Sequence, residues 1–295
     1  MLTAVVQALA LLLAGSPQAE AAAMTPLQKA QAVVVAGMPA GDGFGGVLVR
    51  QWNTGMPRPR GALVVADQEG GTVKTFRSLA PWRAASQYRS TAEAFRAGRE
   101  TAAGLSGAGV HAAFAPVLDL ADGPLGSRHF ARAEYGVAFA RGLGRAACAK
   151  HFPGLGSTPI STDEARVHGV LRTEDLAPFR AAIRAGVPCV MVGHAIYPRL
   201  GPRRASLEPR TYRLLRDLGF RGVAVTDSLG VLGSPYAPYW ARLALRAGAD
   251  MVLTTSARDA GRMVDALVPL ARAGELDPKL VRVLRYRRAL GLTAP

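Results

Sequence analysis

Lys150-His151-Phe152-Pro153-Gly154-Leu155-Gly156-Ser157-Thr158, running on to Ser161-Thr162-Asp163-Glu164, decides how the rest of the chain reads. A short apolar run (Ala146, Ala147, Cys148, Ala149) delivers a lysine and a histidine, and Pro153, Gly154 and Gly156 then break the strand. A cation and an imidazole at a strand end, followed by a Gly/Pro loop, suit a polar ligand that needs several hydrogen bonds. A Lys-His pair in that position also fits a structural role. What surrounds the stretch has to separate the two.

After about residue 25, apolar, β-branched runs of the same kind recur at 32–36, 46–50, 62–66, 110–115, 145–149, 188–193, 222–226 and 250–254. Each is apolar throughout, as expected of strands covered on both faces. Helical patterns lie between them. Ser90 and Glu93 form a potential capping box for a helix over 91–105. Leu176, Phe179 and Ile183 mark a face that stops at Gly186; Tyr212, Leu215 and Leu218 one that stops at Gly219; Trp240, Leu243 and Ala247 one that stops at Gly248. Eight β-then-α units predict an α/β fold, a (β/α)8 TIM-barrel-like single domain. Alternation alone is equally compatible with a doubly wound open sheet.

Composition narrows the class. Apolar residues make up 49% and charged ones 19%, which fits a globular chain. The net charge of +15 is almost all arginine, since Lys29, Lys74, Lys150 and Lys279 are the only lysines. The arginines are scattered through helical segments with few interleaved aromatics, so no nucleic-acid footprint is predicted. Residues 2–14 are apolar but for Thr3 and Gln7, too short to span a bilayer, and Ala19, Ala21, Ala22 and Ala23 follow. This predicts a signal peptide over 1–23, a domain over 24–295, and a secreted or cell-envelope protein with no transmembrane helix in its mature form. No Lys or Arg precedes Lys29, so a retained N-terminal helix, and with it a cytoplasmic protein, is the alternative. Cys148 and Cys189 lie in apolar runs and read as buried thiols.

Polar residues gather just after the apolar runs: Asp67-Gln68-Glu69 after the third, Asp119 and then Ser127-Arg128-His129 after the fourth, Lys150-His151, His194 and Asp227 after the next three. In a parallel barrel these positions converge on one face. Four of the stretches, Asp67-Gln68-Glu69-Gly70-Gly71, Lys150-His151-Phe152-Pro153-Gly154, Met191-Val192-Gly193-His194-Ala195-Ile196-Tyr197-Pro198 and Gly222-Val223-Ala224-Val225-Thr226-Asp227-Ser228-Leu229, resemble in order and spacing the motifs of glycoside hydrolase family 3. The chain is most similar to the short, single-domain bacterial β-N-acetylhexosaminidases of that family, from about residue 25 to Thr255.

The resemblance implies a barrel and retaining hydrolysis of β-linked N-acetylglucosamine, often in cell-wall fragments, by a monomer that needs neither metal nor organic cofactor. Asp227 matches the family's nucleophile; by itself an Asp there could equally cap the next helix. Asp67, Arg128, Lys150 and His151 match its sugar-binding positions, and His194 falls beside them as a substrate contact or a structural residue. His111 and His168 read as packing or solvent residues, and His129 as a neighbour of Arg128.

The chain also departs from the family. Leu155-Gly156 stands where the family has His-Gly, and Thr75 where it has an arginine. Ser161, Thr162 and Asp163 fall where the family carries Asp-Ser-His, whose histidine is the acid/base. Two readings stay open. Asp163, or its neighbour Glu164, serves as acid/base, as carboxylic acids do in most glycosidases. Otherwise the chain is a sugar-binding protein with impaired turnover. A glycosidase with changed sugar preference is a third.

Overall fold

The computed structural model describes residues 15–293. Helices α1 (Pro17–Ala23) and α2 (Pro26–Ala32) lead into strands β1 (Val34–Gly37), β2 (Gly46–Val49) and β3 (Leu63–Ala66). A small antiparallel hairpin follows, β4 (Gln68–Gly70) and β5 (Val73–Lys74). The chain then alternates: α3 (Thr91–Gly107), β6 (Ala112–Ala113), α4 (Ala133–Leu143), β7 (Cys148–Phe152), α5 (Thr173–Arg184), β8 (Cys189–Val192), α6 (Pro209–Asp217), β9 (Val223–Ser228), α7 (Ala237–Ala247), β10 (Met251–Thr254), α8 (Ala257–Arg272) and α9 (Asp277–Ala289).

The eight principal strands pair in parallel in the order β6-β3-β2-β1-β10-β9-β8-β7. The two ends meet through bridges Ala113–Ala147 and Val117–Lys150. Spatial order therefore follows chain order all the way round. A doubly wound sheet would reverse its order and leave two open edges, so the expected barrel is the fold found. Strand residues alternate in and out: Val35, Leu63, Val65, Val223 and Val225 fill the interior, while Val34, Val64, Ala66 and Ala224 face the helices.

Helix α9 closes the N-terminal end of the barrel, since Val283 and Tyr286 belong to the interior cluster. Arg287, fully buried, donates to the carbonyls of Gly45 (2.7 Å) and Gly61, just before β2 and β3. Burial pulls its pKa down to about 10. Asp250 at the start of β10 joins Arg216 of α6 and Arg282 of α9, both at 2.7 Å. With that end sealed, the C-terminal ends of the strands are left to carry a site.

All eight strand expectations are met within a few residues, and Gly186, Gly219 and Gly248 stop their helices with φ of +83°, +90° and +131°. Several expectations need correcting. The rhythm is not eight complete β-then-α units: no α-helix separates β1 from β2 or β2 from β3. Residues 145–146 belong to a 3-10 turn, and β7 runs on to Phe152, so Lys150 and His151 sit on the strand rather than after it. Helix α7 buries Ala241, Ala244 and Leu245, with Trp240 and Leu243 only half-buried at its flank. Alanines let that helix approach the sheet closely, which large side chains would prevent. At α3 the Ser90 hydroxyl accepts from Glu93 N (3.2 Å), but the Glu93 carboxylate takes the N–H of Arg89, so the capping box is only half formed.

The cysteines are not free thiols. Cys148 and Cys189 are directly opposed in the β7–β8 register, with Cα atoms 4.3 Å apart, and form a disulfide. They are 41 residues apart in the chain, so only the register brings them together. Residues 1–14 lie outside the described residues. The alanine-rich segment after them is α1, held against α9 by the Glu20–Arg288 ion pair (2.6 Å) and by the buried Ala21.

Candidate active site

A cavity of about 310 Å³ opens at the C-terminal ends of the strands. Leu48, Phe114, Met191 and Leu253, from four strands or their ends, make its apolar floor. Asp67, Glu69, Arg128, Lys150, His151, Asp163, Asp227 and Ser228 supply its polar walls. Thus six of the seven candidate site residues line one space, although they are spread over 161 positions (67 to 227) of the chain.

The densest wall is an ion cluster around Glu69. Its carboxylate takes a two-pronged contact from Arg128 (2.8 Å from Nε, 3.0 Å from Nη2) and a third from Lys150 Nζ (2.6 Å). Lys150 also reaches Asp67 at 2.7 Å. Glu69 is 4% exposed and Lys150 3%. Burial pushes the Glu69 carboxyl up, but Lys150 and Arg128 outweigh it and leave the pKa below the usual carboxylate value. Burial would lower Lys150, but Asp67 and Glu69 raise it above the usual lysine value. Both groups are thus charged across the physiological range. The backbone makes room for the cluster: β4 and β5 fold Glu69 back over the barrel mouth, where Thr75 N donates to Asp67 O (2.9 Å). Thr75, which directly follows β5, is buried.

His151 is set by Asp119. Asp119 Oδ2 meets His151 Nδ1 at 2.7 Å and accepts the His151 backbone N–H at 3.1 Å, while Oδ1 accepts Leu155 N at 2.7 Å. A carboxylate on Nδ1 fixes the tautomer with Nδ1 protonated and turns Nε2 to the cavity, 4.0 Å from Asp227 Oδ2. Asp227, on β9, accepts Ser228 N with Oδ1 (2.7 Å). Burial raises its pKa, but His151, His194, Lys150 and the Ser228 N–H together bring it below the usual carboxylate value. It is therefore anionic, which an attacking carboxylate needs to be. The Ser228 hydroxyl beside it is buried and has no protein partner among the described residues.

His194 lies behind this wall, fully buried. Its Nε2 donates to the Ser228 carbonyl (3.0 Å) and its Nδ1 accepts from the Ser206 hydroxyl (2.7 Å). Burial lowers its pKa, so it stays neutral and braces the backbone that carries Asp227. His111 accepts Val64 N (2.9 Å), His168 is exposed, and His129 is buried beside Arg128.

The loop after β7 is pinned at both ends. Leu155 is buried where the family has histidine, and Tyr197 donates to Gly154 O. The Ser157 hydroxyl exchanges hydrogen bonds with the backbone of Val170 (2.8 and 2.9 Å), and His168 bridges Ile196. Between these anchors Thr162 is buried, while Asp163 is exposed at the cavity edge. Glu164 is exposed and does not line the cavity.

Two residues with structural authority over the site were not picked out from sequence. Glu69 and Asp119 both lie in strand-end motifs, but nothing local marks one as the hub of an ion cluster or the other as the support of His151.

Comparison with known proteins gives the same picture. The model of the glycosyl hydrolase family 3 N-terminal domain matches residues 47–286. A beta-hexosaminidase of Stenotrophomonas maltophilia (strain K279a) is 35% identical over 263 residues, covering 79% of this chain and 77% of that protein. A family 3 β-N-acetylglucosaminidase from Paenibacillus sp. FPU-7 superimposes with a TM-score of 0.81 at 27% identity over 92% of this chain, which spans 64% of that protein. A family 3 glycosyl hydrolase from Mycobacterium smegmatis gives 0.79 at 27% identity, covering 90% of this chain and 98% of that one. The closed barrel, the ordered strand-end motifs and a family match over most of the length agree: the chain belongs to glycosyl hydrolase family 3.

Proposed function

We propose that this family 3 glycosidase is a retaining β-N-acetylglucosaminidase. The observation that carries the reading is that an anionic Asp227, a solvent-facing Asp163 and the Asp67–Lys150–Glu69–Arg128 cluster line one cavity. The names of the Stenotrophomonas and Paenibacillus relatives support the substrate class. At about 310 Å³ the cavity is at the small end for ligand pockets, which suits a single sugar unit.

In this reading Asp227 attacks the anomeric carbon as Asp163 gives its proton to the departing glycosidic oxygen, leaving a glycosyl-Asp227 ester. Water then attacks the same carbon, Asp163 takes its proton, and Asp227 is released. Asp67, Arg128, Lys150 and His151 hold the sugar. The Asp119 contact keeps His151 Nε2 directed at it. Asp163 is exposed, so water reaches it for the second step.

A second reading, an impaired sugar-binding protein, is favoured by one observation. The positions of the family's dyad now hold Ser161, Thr162 and Asp163, and of these only Asp163 lines the cavity. A chromogenic β-N-acetylglucosaminide separates the two. Turnover that vanishes in Asp227→Asn and falls by about 10²–10⁴-fold in Asp163→Asn supports the first. Saturable N-acetylglucosamine binding with no turnover in the natural protein establishes the second.

We also propose that the protein works as a monomer in an oxidising compartment outside the cytoplasm. The Cys148–Cys189 disulfide supports the compartment, because such bonds persist there and are rare in the cytosol. N-terminal sequencing of the protein from its own cell fraction tests it: a chain starting at Met1 in the cytoplasm refutes export.

A further inference from the structure

Asp163 stands at the tip of a long loop that has little of its own to hold it in place. From residue 159 to residue 166 the hydrogen bonds among the described residues are all local. Asp163 N donates to the Ser161 hydroxyl at 3.3 Å, and Glu164 N and Ala165 N to the Ser161 carbonyl at 3.1 and 3.4 Å. Thr162 is the one buried residue of this tip. Where Asp163 sits therefore depends on where the two feet of the loop stand, residues 153–158 on the way out and 167–172 on the way back.

The feet meet on an ion cluster outside the cavity. Arg172, just before α5, gives Nε and Nη2 to the Asp175 carboxylate at 2.8 and 2.7 Å, and Nη1 to Asp122 Oδ2 at 2.6 Å. Asp175 is in the first turn of α5 with its side chain 1% exposed, and Asp122 belongs to the loop after β6. Gly156 of the outgoing foot lies flat on this cluster. A methyl group there would overlap Asp175 Oδ1 and Arg172 Nη2 and come within 3.0 Å of Asp122 Oδ1. Gly123, beside Asp122, is pressed on the same foot, since a methyl group on it would stand 2.7 Å from Leu155 O and 3.0 Å from Gly156 Cα. One guanidinium thus joins both feet, the loop after β6 and the start of α5. Its planar fork fixes the direction of each contact, which a flexible ammonium does not. Arg172, Asp122 and Asp175 do not line the cavity, so they can reach the reaction only through the loop.

We propose that Arg172 is the positioning residue of the acid/base loop: clamped on Asp122 and Asp175, it fixes the two feet and so keeps Asp163 at the cavity edge, within reach of the glycosidic oxygen. The proposal rests on the reading of Asp163 as the acid/base and adds what holds it there. A catalytic group moved by about 1 Å can lose about 10²-fold in rate, so loosening the clamp should show in the step that needs the Asp163 proton.

The test compares kcat/KM for two β-N-acetylglucosaminides on the full-length protein. A dinitrophenolate departs without a proton, whereas the alcohol of a β-linked N-acetylglucosamine disaccharide departs only when protonated. Asp163→Asn sets the scale, with a loss of about 10²-fold or more on the disaccharide and less than about threefold on the dinitrophenyl glycoside. Arg172→Lys leaves a cation beside the buried Asp175 but removes the fork, and Asp122→Ala cuts the clamp at its exposed side. Both should lose about tenfold on the disaccharide, with less than about threefold on the dinitrophenyl glycoside. The ratio of the two substrates cancels any loss of folded protein. Equal losses on both glycosides, or no loss in either variant, overturn the proposal. Cleavage of neither glycoside by the natural protein overturns the hydrolase reading, and an unselective Asp163→Asn overturns Asp163 as the acid; each takes this inference with it. Selective loss in Asp163→Asn without it in Arg172→Lys and Asp122→Ala overturns this inference alone.

Discussion

Replacing Glu69 by Gln should destabilise the protein far more than replacing its neighbour Asp67 by Asn. Glu69 is 4% exposed and accepts from two cations at 2.6–3.0 Å. Gln keeps the shape, but its amide group must point a donor at either Lys150 or Arg128, and the cluster loses one of its two negative charges. Taking one partner from a buried ion pair costs about 3–5 kcal/mol. For a chain of this size that is a fall in Tm of about 10 °C. Asp67 has a side chain 35% exposed and shares Lys150 with Glu69, so Asp67→Asn should cost no more than about 1 kcal/mol.

The gap between natural protein and Glu69→Gln should also depend on pH with a definite sign. In the fold Lys150 and Arg128 hold the Glu69 carboxyl below its ordinary value of 4.5. A depressed carboxyl stabilises fully above its unfolded pKa and loses that contribution as pH falls through the folded value. The difference should therefore be complete at pH 7 and close progressively below pH 4.5. Thermal and urea melts of the three proteins from about pH 3, below the ordinary carboxylate range, to about pH 8, well above it, measure it. Equal losses for Glu69→Gln and Asp67→Asn, or a gap that widens in acid, would refute the reasoning.

Two further predictions follow from the same geometry. Because Asp227 is held below the ordinary carboxylate value of 3.8, the acid limb of kcat/KM should lie below that pH, and His151→Ala should move it upward by removing the first of the neighbours that lower it; an unmoved limb in that variant would separate His151 from Asp227. The Cys148–Cys189 crosslink closes a loop of 41 residues, so a Cys148→Ser/Cys189→Ser pair should lose roughly 4 kcal/mol in the chain-entropy estimate; thiol alkylation of the unfolded natural protein without reductant should label no cysteine, and labelling of both would contradict the bond.

Much of the fold was legible because its signals are local. A parallel strand buried on both sides needs an unbroken apolar run, and a helix that must stop needs a glycine able to take positive φ, as Gly186, Gly219 and Gly248 do. The absent helices after β1 and β2 have a local cause as well: residues 38–45 hold Pro39, Gly41, Gly43 and Gly45, and residues 50–62 hold Gly55, Pro57, Pro59 and Gly61, which break a helix. Trp240 shows a limit of such signals. Its helical spacing was real, but closeness to the sheet favoured the alanine face.

The site divides in the same way. From the sequence alone it followed that Asp67, Lys150, His151 and Asp227 stand at strand ends, since each comes directly after or within an apolar run, and the family resemblance follows from the motifs that contain them; Arg128, in a turn well past β6, was reached only through that resemblance. Only the closed barrel decided what these residues touch. Glu69 became the centre of the ion cluster, Asp119 the support of His151, His194 a brace behind Ser228, and Cys148 the partner of Cys189. These contacts join residues from 32 to 83 positions apart. Such pairs depend on strand register and ring closure, and a sequence read in local periods of two or 3.6 residues carries no record of either. The stretch beginning at Lys150 contains both cases: its strand and its glycine break are local properties, while the placing of Asp163 at the cavity edge results from how Val170, Ile196 and Tyr197 pin the loop.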